Sequence, residues 1–269
     1  LALSDEQVRD ELSFVALVGD TPVAAAIARS SGQETGWWRI ATAPEHRRRG
    51  LAHACLEAGE RAARAEGVPV LTTLETVDSR WAAAGALLRD AGYQLADPEQ
   101  RNISMRLDLR RWQPRALDLL PGYELTTWRA DLLEDWMLCR NLVFDSDAPP
   151  SWFLDQFASR PEFDPSGWHL VLHEGRVVAI AGALACRDAA GVTTGGMIEW
   201  VGVLPECRGL GLGETVVAAC LNWLKAREVD SAVLLTQPFR VPAVRLYEKL
   251  GFVTFAAWHK YFKPMGGGQ

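Results

Sequence analysis

The chain has 269 residues, 48% of them hydrophobic and 23% charged, and a formal net charge of −6. This composition can bury a core and excludes a disordered chain. It argues against nucleic acid as a partner, which calls for a basic face, and no apolar run reaches the ~20 residues of a membrane span.

Leu1 stands where an initiator Met would be, so residues upstream are expected to be missing. "DEQVRDEL" (5–12) reads as a remnant helix, or the front of the first domain lies outside this sequence. "FVALVGDTPVAAAIA" (14–28) is strand, polar turn, strand, a hairpin pattern. "APEHRRRGLA" (43–52) opens a helix, and "WAAAGALLRDAGYQL" (81–95) is a helix that stops at a glycine before a strand. "ISMRLDL" (103–109) is a further strand, and "RRWQPRALDLLP" (110–121) is a two-proline bridge.

After the bridge the spacing predicts a strand over 122–128 and a helix over 130–143. A short helix follows "SDAPPS", with Asp147 or Ser151 as candidate caps. Strands are expected near 168–173, 176–186 and 195–203, then the turn "ECRGLGLGET" (206–215) and a helix over 213–227. A strand over 231–236, a helix over 241–249 and strands near 252–262 complete the series. His169 and His173 fall on a strand, where four residues separate them too far to share a metal. The five cysteines (55, 139, 186, 207 and 220) form no C-x-x-C pair, so no metal and a reducing cytoplasm are expected.

The second half repeats the first. "APEHRRRGLA" parallels "LPECRGLGLG" (204–213), both Pro-Glu-x-Arg-x-x-Gly-x-small, with Arg47 and Arg208 in register. The hairpin of 14–28 matches "HLVLHEGRVVAIAGA" (169–183), and the helix of 81–95 matches "RVPAVRLYEKLGFVT" (240–254). A tandem duplication follows, with domains at 1–112 and 113–269 and the seam near 112–121.

A strand that ends in a glycine-rich turn and launches a helix aims several backbone N–H groups at one point. With the helix dipole they make an anion site, and an arginine adds a charge-assisted contact to phosphate. The spacing Gly209-x-Gly211-x-Gly213 fits neither the Walker nor the G-x-G-x-x-G dinucleotide pattern. Taken alone, the turn could equally be one whose glycines only relieve crowding.

Arg208-x-x-Gly211-x-Gly213, together with "PAVRLYEKLGF" (242–252), resembles the GCN5-related N-acetyltransferase (GNAT) family, well over 122–262 and more weakly over 13–109. The resemblance implies an α/β fold of two tandem GNAT-like domains. Each would be a mixed, mostly antiparallel central sheet flanked by helices. It also implies acetyl-CoA as donor. The strand residues Val201, Gly202 and Val203 would bond the pantetheine arm, and Arg208, Gly209, Leu210, Gly211, Leu212, Gly213 and Glu214 would cradle the pyrophosphate.

Acetyl transfer from a thioester to an amine needs a base for the ammonium proton, a donor for the oxyanion and an acid for the departing thiolate. By resemblance Tyr247 is the candidate acid; otherwise it is a core tyrosine. Glu199 is the candidate base, since a carboxylate in an apolar strand needs a partner or water; otherwise it is a sheet residue facing a solvated cleft or an anion that orients the substrate. A backbone N–H within 201–203 would hold the oxyanion, and Gly202 would permit the bulge that splays two strands. Relatives often carry Asn where Arg240 stands, and Arg240 receives no role.

The first copy keeps Arg47, Gly50 and Ala52 but has Trp38 for Glu199 and Leu88 for Tyr247. It is expected to be degenerate, with "HRRRG" either a phosphate loop or a solvated basic turn. The expected enzyme is an N-acetyltransferase acting on a small-molecule amine, without nucleic acid or membrane partners, as a monomer or homodimer. The alternative is a non-catalytic acyl-CoA sensor or scaffold. Among Trp128, Trp152, Trp168 and Trp200 some are candidates for the acceptor wall, and most are expected in the core or a domain interface.

Overall fold

The computed structural model describes residues 8–31, 34–74, 76–96, 101–188 and 193–266. The strands and helices are β1 (Phe14–Val18), β2 (Thr21–Ser31), β3 (Glu34–Thr42), α1 (Leu51–Ala65), β4 (Val70–Thr73), β5 (Val77–Asp78), α2 (Ala82–Asp90), β6 (Gln94–Leu95) and β7 (Asn102–Asp108), then β8 (Tyr123–Thr127), α3 (Leu133–Phe144), α4 (Pro150–Phe153), β9 (Trp168–His173), β10 (Arg176–Arg187), β11 (Thr193–Val203), α5 (Leu212–Ala226), β12 (Ser231–Thr236), α6 (Val241–Leu250), β13 (Val253–His259) and β14 (Tyr261–Pro264). Among the described residues no helix is long and apolar enough to cross a membrane. The fold is mixed α/β, two mostly antiparallel sheets flanked by helices.

The chain forms two compact units. One holds Leu1–Ile103, Gln237–Phe239 and Ala256–Gln269; the other holds Ser104–Thr236 and Arg240–Phe255. In the first unit the strands run β1-β2-β3-β4-β14-β6. The strand inserted between β4 and β6 therefore comes from the far end of the chain. Phe262 pairs with Thr72 of β4 and with Gln94 of β6, antiparallel to both. Lys263 anchors it: Nζ donates to Glu60 Oε2 of α1 (2.6 Å) and to the Ala91 carbonyl (2.6 Å). The Tyr93 hydroxyl, which accepts from Trp37 Nε1 at 2.6 Å, belongs to the same buried group. The core of this unit is Leu12, Trp37, Leu56, Leu71 and Leu88 with Tyr261 and Met265.

In the second unit the order is β13-β7-β12-β11-β10-β9-β8. Here β7, from before the bridge, fills the place that β14 fills in the first. The two sequence copies thus trade their last strands. The division at 112/113 remains a proposal about the copies, while each compact unit draws on both sides of it.

Most expected elements of the second copy form within a residue or two of their predicted ends. The β9–β10 turn places Glu174 at φ +50° and Gly175 at φ +75°, the left-handed pair that a tight hairpin needs. Two details differ. Neither Asp147 nor Ser151 caps α4: its N-cap is Pro149, without a side-chain bond, and Pro150 supplies the preset φ of the first turn. "DEQVRDEL" contains no α-helix among its described residues, only a 3-10 turn at Asp10–Leu12; residues 5–7 lie outside the described residues.

Candidate active site

In the second unit β10 and β11 pair from Arg187 to Gly182 and again from Ile180 to Ala179. Between Gly182↔Glu199 and Ile180↔Gly202, Ala181 faces two residues, Trp200 and Val201. That is a β-bulge, and Trp200 carries it at φ +55°. Gly202 therefore does not make the bulge. It is glycine because a Cβ there would lie 2.8 Å from Val143 Cγ1 of α3. On the other edge of β11, parallel pairing to β12 stops at Ile198↔Leu234. From Glu199 to Val203 that edge carries no ladder pair to β12.

Glu199 begins this stretch. It is half-buried, and its Oε2 is sealed from solvent with no hydrogen-bond partner. Burial raises its pKa above the usual carboxylate value, with Arg160 pulling weakly the other way. A carboxylate held in this way is suited to take up a proton.

The strand runs directly into the turn. Pro205–Cys207 forms one 3-10 turn, Arg208 Nε donates to the Val203 carbonyl at 3.2 Å, and α5 begins at Leu212. Gly209 and Gly211 sit at φ +78° and +79°. A Cβ on either would meet nothing within 4 Å, so their backbone conformation, not crowding, asks for glycine. Gly213 is different: a Cβ there would make ordinary contacts with Leu246 and Val203. Thr215 N makes the first helical bond, to the Gly211 carbonyl. The N–H groups of Leu212, Gly213 and Glu214 thus lack intrahelical acceptors. The Leu212 side chain is buried, while Leu210 is exposed. The Glu214 carboxylate is occupied by Arg115 (3.3 Å) and Lys249 (2.5 Å), which leaves its backbone N–H as the group open to a ligand. One continuous strand, turn and helix start holds Glu199, Val201–Val203 and 208–214.

Tyr247 lies on α6, which packs against this start: Leu246 lies 3.4 Å from the position of a Gly213 Cβ. Tyr247 is buried, edge-on to Phe252 at 6.0 Å. Burial pushes its pKa up to about 12, opposed by the nearby Arg240. The phenol is therefore a proton donor at any neutral pH. Among the described residues no hydrogen bond joins Tyr247 to Glu199.

An aromatic wall faces the bulge. Trp200 stands edge-on to Trp152 (5.1 Å) and Phe144 (5.2 Å). Arg140 lies over both Trp152 (4.4 Å) and Trp200 (4.8 Å), and Arg240 lies over Phe144 (5.7 Å). Of the four candidate tryptophans, Trp152 and Trp200 are half-buried here. Trp168 is fully buried among Trp136, Phe153 and Phe157, and Trp128 stacks on Phe153 at 5.3 Å. Sequence reasoning missed Arg140 and Phe144. Their i, i+4 spacing on α3 was the available signal.

His169 and His173 fall on β9 as expected. His169 is held neutral, its pKa pulled down to about 4 by burial and by Arg227; His173 Nδ1 lies 3.0 Å from the Gly122 carbonyl. Among the described residues no group of three or more potential metal ligands comes together, and all five cysteines are free.

The family model described as the acetyltransferase (GNAT) family matches residues 2–93 and 129–252. The chain is 35% identical over 143 residues to a mycothiol acetyltransferase of Thermobispora bispora, covering 51% of this chain and 48% of the relative. It is 29% identical over 266 residues to the mycothiol acetyltransferase of Thermobifida fusca, covering 91% of this chain and 80% of the relative. The chain spans about half the length of the first curated relatives it matches. Among solved structures, a tandem GNAT protein from the clavulanic acid biosynthesis pathway superposes with a TM-score of 0.70 at 20% identity, over 96% of this chain and 83% of that one. Two family matches, in register with the two copies of the strand, turn and helix described above, settle the affiliation: the chain belongs to the acetyltransferase (GNAT) family, in a tandem arrangement.

Proposed function

We propose that this chain is an acetyl-CoA-dependent N-acetyltransferase that acetylates the amine of a small-molecule acceptor by direct attack, with its active site in the second unit. The observation that carries the reading is the continuity of β11 and α5. A partnerless carboxylate oxygen at Glu199, a bulged strand edge without ladder pairs to β12, and a turn with free N–H groups follow one another within sixteen residues, Glu199 to Glu214. The mycothiol acetyltransferase relatives support a small-molecule acceptor.

Acetyl-CoA fits these residues as donor substrate. The N–H groups at the start of α5, with Arg208, would receive its pyrophosphate. The unpaired edge of Val201–Val203 would bond its pantetheine arm and offer an N–H to the oxyanion. An amine of the lysine type has pKa about 10.4 and arrives protonated. Glu199, raised by burial, accepts that proton. The amine nitrogen then attacks the carbonyl carbon, the C–S bond breaks, and the Tyr247 hydroxyl gives its proton to the departing thiolate. The surplus proton on the nitrogen passes to the tyrosinate oxygen, which leaves a neutral amide and a restored phenol.

Calorimetric titration with acetyl-CoA tests the reading. One saturable site, with acetylation of an added amine, is the expected result. Two sites would give the Arg47 loop of the first unit a ligand of its own. Saturable binding without turnover of any amine would favour the non-catalytic sensor. No binding at millimolar acetyl-CoA would overturn both readings.

A further inference from the structure

Arg140 is about nine-tenths buried, at 8% exposure. Its Nη1 donates only to neutral acceptors, Asn141 Oδ1 (2.7 Å) and Ser146 Oγ (2.5 Å), and its Nε is sealed without any acceptor. Among the described residues no carboxylate pairs with it, and burial lowers its pKa. A buried cation without a countercharge is costly. The Trp152 and Trp200 faces offset part of that cost through cation–π attraction.

Its position is specific. Arg140, Val143 and Phe144 lie on one face of α3 at i, i+3 and i+4. Val143 abuts Gly202, while Arg140 and Phe144 both meet Trp200. That face therefore covers the bulge that begins beside Glu199. The left-handed backbone of Trp200 (φ +55°) is a conformation that non-glycine residues seldom adopt, and its indole stands in this wall against Phe144 and Trp152.

We infer that the acceptor carries, besides its amine, a group with anionic oxygens, and that Arg140 receives it. The inference rests on the reading of the second unit as an N-acetyltransferase and names its substrate class. The amine lies toward Glu199, and the anion supplies the missing countercharge in the aromatic corner. With Nη1 bonded and Nε sealed, Nη2 is the donor left to an anion, and a carboxylate or phosphate oxygen accepts a charge-assisted bond from it.

The test compares β-alanine, 3-aminopropylphosphonate and the neutral β-alaninamide as acceptors with acetyl-CoA. At least one acid should exceed the amide by tenfold or more in kcat/KM, and the better of the two identifies the anion. Arg140→Met should bring acid and amide together, with Arg140→Lys retaining part of the difference. A role confined to pinning the turn after α3 would lower all acceptors alike and leave the ratio unchanged, which overturns the inference. Equal rates for acid and amide in the native protein overturn it without any variant, should Arg140→Met fail to fold. If no amine is acetylated, the proposed activity is at fault. The Arg140 Nε–H resonance then decides the anion site: a saturable shift with propionate or methylphosphonate, absent with propionamide, supports it, and no shift overturns it.

Discussion

In the loop before α1, Arg47 Nε donates to the Thr42 carbonyl over 3.3 Å; in the loop before α5, Arg208 Nε donates to the Val203 carbonyl over 3.2 Å. Each loop opens with a 3-10 Pro-Glu-x turn, and Gly50 (φ +77°) and Gly211 (φ +79°) are the two helix N-caps. Arg48 holds φ +63° where Gly209 holds +78°, so the first loop keeps the left-handed residue even with a side chain on it. Each sheet also has a bulge just upstream, at Trp38 and at Trp200–Val201. The surroundings differ. Trp38 stands for Glu199, lying under Arg39 (4.1 Å) and Arg29 (5.4 Å), and the core residue Leu88 stands for Tyr247. Backbone geometry is held by many hydrogen bonds at once, whereas the proposed proton transfers depend on two side chains. A copy can therefore lose its chemistry and keep its frame.

The largest effect should come from the proposed acid. Tyr247→Phe should lower kcat by about 10²–10⁴-fold, the usual worth of a positioned proton donor, with acetyl-CoA affinity by calorimetry within about twofold. Leu88→Phe at the matching position should leave kcat unchanged. A drop caused by Leu88→Phe, or none by Tyr247→Phe, would end the assignment of activity to the second unit.

Next comes the proposed base. Glu199→Gln should lower kcat/KM by about 10²-fold at neutral pH. The native acid limb should lie above the ordinary ~4.3 of a glutamate, because burial raises this carboxyl and only its ionised form accepts a proton. The limb should vanish in the variant. For stability the sign is opposite. A raised folded pKa favours the fold below the unfolded value, and that gain is lost as pH rises through the folded one. Glu199→Gln should therefore be no less stable than the native chain at pH 7 by denaturant unfolding.

Lys263→Met probes the frame of the first unit. It removes the cation from the buried Glu60, an effect on the order of 2–3 kcal/mol, moderated because Arg64 remains 3.5 Å from that carboxylate. Faster amide exchange in β4 and β6, the strands that β14 joins, with little change in kcat, is the expected pattern. The smallest contrast pairs Gly211→Ala with Gly50→Ala. Each forces alanine into a left-handed conformation at about 1–2 kcal/mol. Acetyl-CoA affinity should weaken roughly tenfold for Gly211→Ala only; equal weakening would show that both loops bind.

Much of this was legible in the residues. Alternating apolar strands, glycine stops and the Pro-Glu-x-Arg-x-x-Gly repeat are local signals, and local signals fix hairpins, helix ends and the conformation of a turn. The sequence by itself therefore determined the duplication and the element order of the second copy, and left open whether the glycines of the second loop serve an anion site or relieve crowding. It attributed the bulge to Gly202 because glycine is the usual occupant of such a backbone; the neighbouring Trp200 takes the left-handed conformation instead, held by Phe144, Trp152 and Phe157 around it. Only the tertiary structure decided which strand fills which sheet. Nothing within Tyr261–Pro264 distinguishes β4 and β6 from β12 as neighbours, since backbone pairing is alike for all strands. In the folded chain Lys263 meets Glu60 across 203 residues, and Tyr261 and Met265 join the core of that unit. The same holds for Arg140: its charge is in the sequence, but its burial without a countercharge exists only once α3 lies across the bulge.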